Sequence, residues 1–99
     1  MAYLIFTRDR SDGKPIRDAN RAEHYAYLQA HQHRLIASGG VQGENGQFIG
    51  GAIILDVDTL DEAQAFADAD PFSRAGLFED VIITRWVQAF LDGRQRARE

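Results

Sequence analysis

Three histidines, a scatter of carboxylates and a few arginines and serines are the side chains here that can move a proton or hold an anion at neutral pH. Histidine does so with little tuning, because it titrates near neutrality. His24 falls at three- and four-residue steps with Leu28, His31 and Leu35, so on a helix it shares their inward face. Two readings of it stay open: a general acid or base in a cleft, or a core histidine bonded to a backbone carbonyl. His31 and His33 are two residues apart and do not face each other on a helix. His24 and His31 would be roughly 10 Å apart along it, too far to share one zinc with Zn–N bonds of about 2 Å. No metal is expected.

Asp70 is placed unusually. It would end a helix, where the negative end of the helix dipole opposes a carboxylate, so it needs a compensating partner. Asp70-Pro71 equally suits the start of a new short helix, with Asp70 as N-cap and proline in the first position. Both can hold, since a capping carboxylate keeps a second oxygen free. Arg8 and Arg10 open the loop after the first strand and suit an anionic substrate, because guanidinium binds carboxylates and phenolates through two donors. Ser38 and Ser73 lie beside chain breaks and can hydrogen-bond a ligand. No Ser-His-Asp triad is readable, because triads are defined by geometry. Gly40, Gly43 and Gly46 do not follow a strand and open a helix, so no dinucleotide cofactor is expected.

The elements that must position these residues are legible as alternating patterns. Residues 3–7 are aromatic and β-branched and read as a strand. Residues 8–20 read as a polar loop around Gly13-Lys14-Pro15. Asn20 and Glu23 resemble a capping pair opening a helix that runs to about Ser38, where Gly39-Gly40 stops it. Asn45-Gly46 marks a hairpin with positive φ at both positions, and residues 48–57 form its second arm. Gly50-Gly51 within that arm suggests a bulge or a close approach. Thr59-Leu60-Asp61-Glu62 is a capping box for a helix with Leu60, Ala63, Phe66 and Ala67 on one stripe. Residues 80–90 are the last strand. The order β-α-β-β-α-β predicts an α+β, ferredoxin-like antiparallel sheet with two helices on one face.

Composition bounds the rest. The chain has 99 residues, one domain's worth, with 44% hydrophobic and 26% charged residues. There is no cysteine, which excludes disulfides and fits a reducing, cytoplasmic setting. No stretch approaches the roughly 20 apolar residues of a membrane helix, and no signal peptide is expected. The formal charge is −4, and Arg94, Arg96 and Arg98 in the tail leave the body more acidic still. That disfavours nucleic acid, whose phosphates need clustered cations. Residues 1–90 form the expected domain and residues 91–99 a flexible tail.

The strands are apolar on both faces: Tyr3 and Ile5 oppose Leu4 and Phe6, and Val81 and Ile83 oppose Ile82 and Trp86. Two helices cover only one face, so a second copy is expected to cover the other as a two-fold homodimer. Two such sheets would enclose a shared apolar space suited to a small-molecule ligand.

Arg21-Ala-Glu-His24-Tyr-Ala-Tyr-Leu28, the Gly39-Gly40 break, Gly50-Gly51-Ala-Ile-Ile-Leu-Asp and Ala67-Asp68-Ala69-Asp70-Pro71-Phe72 together resemble the YCII-related (YciI-like) family, over roughly residues 2–90. The resemblance implies a dimeric α+β barrel, akin to muconolactone isomerases and cofactor-free monooxygenases. It implies a histidine–aspartate catalytic pair, which falls on His24 and Asp70, and one relative removes chloride from a chlorinated hydroxyhydroquinone. The stretch after the first strand departs somewhat from the family, and Asp9 fits its acidic position only loosely. The expected function is a cofactor-independent enzyme acting on a small cyclic or aromatic anion by isomerisation or elimination. The alternative is a dimeric ligand-binding or accessory protein without turnover.

Overall fold

Tyr3, Ile5 and Thr7 are buried, while Leu4, Phe6 and Arg8 between them are not. The period of two identifies a strand with one face against a core. In the computed structural model, which describes residues 1–95, that strand is β1 (Ala2–Asp9). It is followed by α1 (Lys14–Ala30), β2 (Leu35–Gln42), β3 (Phe48–Asp56), α2 (Leu60–Ala69), α3 (Pro71–Arg74) and β4 (Phe78–Trp86). A short hairpin of β5 (Phe90–Leu91) and β6 (Arg94–Gln95) comes last. The main sheet is antiparallel with order β2-β3-β1-β4, the expected ferredoxin-like arrangement. Tyr3, Ile5, Ile53 and Leu55 on one sheet face pack with Leu28 of α1 and Ala63, Phe66 and Ala67 of α2. The helices therefore cover a single face.

Local chemistry explains most element ends. Thr59 Oγ1 accepts from the Glu62 N–H at 3.1 Å and donates to the Glu62 carboxylate, so the capping box forms as read. The Tyr27 hydroxyl donates to the Phe66 carbonyl at 2.8 Å and ties α1 to α2. Burial and then the nearby Asp70 carboxylate push that hydroxyl's pKa upward, so it stays a donor.

Four expectations are corrected. First, α1 begins at Lys14, within the expected loop. Pro15 is preorganised for a first turn, Lys14 pairs with Asp18, and Arg17 is held by Asp9. Asn20 lies inside the helix, donating to the Ile16 carbonyl, and caps nothing. Second, α1 stops at Ala30, a 3₁₀ turn spans Gln32–Arg34, and Gly39-Gly40 lies within β2. Leu35 sits opposite Leu55 and Ser38 opposite Ile53, and this pairing overrides the local helical stripe. Third, only Gly46 in the Asn45-Gly46 turn has positive φ, at 81°. Its N–H donates to the Gly43 carbonyl, the pattern of a type I turn closed by a left-handed residue. Fourth, the last strand ends at Trp86, and Asp92 (φ 53°) and Gly93 (φ 74°) turn the terminal hairpin. The remainder of the expected tail, residues 96–99, lies outside the described residues.

Gly50 is the close approach that the double glycine suggested. A Cβ there would lie 2.1 Å from the Thr7 carbonyl oxygen, whereas one on Gly39 would meet nothing within 4 Å. Gly50→Ala is expected to cost about 1–3 kcal/mol, the range for overpacking, and Gly39→Ala less than about 0.5 kcal/mol. Urea unfolding midpoints check this; similar midpoints for the two variants would contradict so tight a β1–β3 contact.

Candidate active site

The cleft follows from where side chains are missing. Gly51 pairs with Thr7, and Gly40 pairs with Gly51. Both glycines therefore face the helices, as Thr7 does, and neither fills the space beneath α1. A cavity of about 190 Å³ remains there, lined by Ile5, Thr7, Ser38, Gly40, Gly51 and Ile53 from the sheet. Arg17, His24, Tyr25 and Leu28 of α1, Phe48 of β3, and Asp70 and Phe72 at the α2–α3 joint also line it. The expected ligand space lay between the sheets of two copies. The cavity found lies between helices and sheet of one chain, because the glycines open that side.

His24 and Asp70 meet in its wall. His24 Nδ1 is 2.8 Å from Asp70 Oδ1, and their side chains are 14% and 4% exposed. The same Oδ1 accepts the Phe72 N–H at 2.9 Å, so Asp70 caps α3 with Pro71 in its first turn. Capping and pairing thus hold together, and through one oxygen where two were expected. An acceptor already engaged by a backbone N–H makes His24 Nδ1 the donor, which leaves the lone pair on Nε2. Phe72 stacks on the imidazole, with ring centroids 4.0 Å apart and planes 14° apart. The stacked Phe72 ring and the hydrogen bond to Asp70 therefore fix the imidazole from two sides.

The other predicted residues divide. Ser38 lines the cavity from β2. Arg8 does not: it follows Leu4 and Phe6 on the outer sheet face, where Glu79 and Asp80 hold its guanidinium. Arg10 pairs with Asp12 at the surface. Ser73 lies one residue past Phe72 on α3, off the cavity wall, with its carbonyl accepting the Gly76 N–H. His31 is bound to Arg34, and desolvation, Arg34 and His33 lower its pKa. Among the described residues no group of three or more His, Asp or Glu could hold a metal ion.

The arginine of the cavity is Arg17, which the sequence reading did not single out. Its Nε and Nη2 donate to Asp9 at 2.8 and 3.1 Å, and Nη2 also reaches the Gly50 carbonyl at 3.2 Å. Its Cζ lies 5.3 Å from the Phe48 ring centroid and 4.8 Å from that of Phe72. Pro15 was the available signal: a helix started there turns Arg17 toward the end of β1.

A ferredoxin-like α+β domain with a histidine–carboxylate pair in a cleft beneath its first helix is the class that fold and site define. The YCII-related domain matches residues 1–87, and the chain belongs to that family. Protein YciI of Escherichia coli is 32% identical over 98 residues, covering 91% of this chain and all of the relative. An uncharacterized protein of Haemophilus influenzae matches to the same extent. The solved 5-chloro-2-hydroxyhydroquinone dehydrochlorinase of Burkholderia phenoliruptrix, in complex with 2,5-dihydroxybenzoquinone, is 32% identical with a TM-score of 0.82. That match covers 88% of this chain and 94% of the enzyme.

The Asp9–Arg17 pair is 7% and 11% exposed, so removing one partner strands a buried charge. Asp9→Ala is expected to cost about 3–5 kcal/mol. Arg8→Ala, at a pair whose side chains are 60% and 53% exposed, should leave the denaturation midpoint close to that of wild type. Chemical denaturation of both variants checks the contrast, and equal losses would contradict it.

Proposed function

We propose that this chain is a cofactor-independent enzyme that moves a proton on a small, oxygenated six-membered ring, with His24 as general base and acid. The observation that carries the reading is the His24–Asp70 bond at 2.8 Å in the wall of a cavity of about 190 Å³. A dry cavity of about 150 Å³ admits benzene, so this one suits a single substituted ring. Phe48 offers apolar surface, and Ser38 and Thr7 offer hydroxyls.

The step runs as follows. Nε2 takes a proton from an acidic ring C–H or O–H, and the electron pair moves to the conjugated ring oxygen as an enolate or phenolate. Reprotonation at another carbon isomerises the ring to a keto form; where that carbon bears a leaving group such as chloride, loss of a second O–H proton then sends its electron pair through the ring, expels the anion and leaves a quinone. Asp70 holds the imidazole in the productive tautomer and stabilises the imidazolium, as a triad carboxylate does. The dehydrochlorinase relative supports the elimination branch, and its bound dihydroxybenzoquinone supports the ligand class.

Turnover of chlorinated and unchlorinated hydroxyhydroquinones, followed by chloride release and by absorbance, tests this. His24→Ala is expected to lower kcat by about 10²–10⁴-fold. Asp70→Asn should lower it by at least about 10²-fold while leaving binding largely intact, because the amide selects the wrong tautomer. A His24→Ala protein as active as wild type would sink the assignment. Wild type that binds these rings and returns them unchanged would favour the binding protein.

We also propose that the active form is a two-fold dimer joined through the outer sheet face. Phe6 and Ile82, opposite each other in the register, are 39% and 56% exposed. Ile82→Asp is expected to shift sedimentation from a dimer to a monomer; a wild-type monomer at micromolar concentration would rule this out.

A further inference from the structure

Arg17 stands where two hollows meet. One is the cavity that holds His24; the other is a more open space bounded by Lys14, Asp18, Arg21, Gln47 and Phe48. A guanidinium has five N–H donors. Three are engaged, through Nε and Nη2, by Asp9 and the Gly50 carbonyl. The Nη1 amino group has no protein partner among the described residues, yet no buried side-chain nitrogen is left unsatisfied. Nη1 therefore has accessible space before it, in hollows that the guanidinium lines. The rest of the group is immobilised by a forked carboxylate and two aromatic rings.

Phe72 links this donor to the proton-transfer pair, with its ring centroid 4.0 Å from that of His24 and 4.8 Å from Arg17 Cζ. Those two distances keep the guanidinium carbon within about 9 Å of the imidazole, a span that one substituted ring in the shared cavity can bridge. The fixed charges around it select its own charge. Asp9 and Asp70 are set against Arg17, so with neutral imidazole the group is net negative. A dianion such as a phosphate monoester would meet two carboxylates near its one cation. A singly charged, delocalised oxygen would meet a planar donor already partly neutralised.

We propose that Arg17 Nη1 is the oxyanion donor of this cavity and that it selects ring compounds carried as monoanionic phenolates or enolates. This rests on the cavity being the substrate site, and it goes further by assigning the recognition residue and the charge state recognised. Arg17 lowers the cost of placing negative charge on the ring oxygen, which is also where charge gathers when His24 removes a proton.

The probe is para-nitrophenol, whose phenolate is visible by absorbance, titrated against pH in His24→Ala protein so that no imidazole can take its proton. The phenolate is expected to bind at least about tenfold more tightly than the phenol, so the bound probe ionises about one pH unit lower than free probe. Asp9→Asn/Arg17→Gln, which replaces the ion pair by neutral polar groups, is expected to erase the preference. Should that double variant not fold, Arg17→Lys keeps the charge beside Asp9 without Nη1 and is also expected to erase it. Failure of the probe to bind, binding without preference, or a preference that survives in a folded Arg17 variant would overturn the proposal. These outcomes do not depend on turnover. A loss of kcat in His24→Ala without phenolate preference leaves the proton-transfer reading standing and removes this one, and the reverse pattern does the opposite.

Discussion

Everything in the cleft hangs on one oxygen. Asp70 is 3% exposed, and a carboxylate so buried is tolerable only when its acceptor capacity is used. Oδ1 takes the Phe72 N–H and the His24 Nδ1–H. The first bond starts α3 immediately after α2 ends, which converts the poor electrostatics of a helix C-terminus into the favourable ones of an N-terminus. The second draws α1 down onto that junction. The short α3 then delivers Phe72 against the imidazole face. A helix stop, a helix start, a tautomer and an aromatic wall are consequences of the same acceptor, so none of them can vary alone.

The space in front of the pair has a cost of its own. Voids in protein cores forfeit about 24 cal/mol per Å³. A closed, dry cavity of the size found here would forgo on the order of 4–5 kcal/mol by that measure. Small domains have only about 5–15 kcal/mol in total. Of the two glycines that open it, Gly51 has ordinary room for a Cβ, while a Cβ on Gly40 would lie 2.5 Å from the Phe48 ring and needs that ring to move. Gly50 beside them is pinned by the Thr7 carbonyl. The tight β1–β3 contact and the inward Phe48 are thus bound up with the cavity, and the strands that form the sheet also keep its helix side open.

The legible parts of this structure were those decided within a few residues. The capping box at Thr59, the proline-directed break at Asp70-Pro71 and the aromatic and β-branched strand of residues 3–7 each have a local cause, and each appears in the fold. His24 could be placed on an inward stripe, but its partner could not: the pairing with Asp70 came from family resemblance, because 46 residues separate them. What stayed hidden was decided by pairing at a distance. Leu35 continues the helical stripe in sequence, yet it is drawn into β2 by the register with Leu55. Arg8 and Arg17 are equally arginines near the first strand. Only the parity of β1, which turns Arg8 outward, and the early start of α1, which turns Arg17 inward, tell them apart.

That division of the arginines bears on how the site handles charge. Arg8 faces solvent beside two carboxylates, where an ion pair contributes little. Arg17 is enclosed with Asp9, where its charge acts over a short range in a poorly screened setting. Across the same Phe72 ring, Asp70 faces an imidazole that would change charge in the proposed proton transfer. Before transfer, the enclosed groups of the free site carry one more negative charge than positive. In the proposed step Nε2 takes a proton and they balance, which leaves the charge created on the ring oxygen to Arg17, a donor already held in place. On that proposal the cleft favours separation of a proton from a conjugated ring over storage of a neutral one, and it does so with side chains that the fold already fixes.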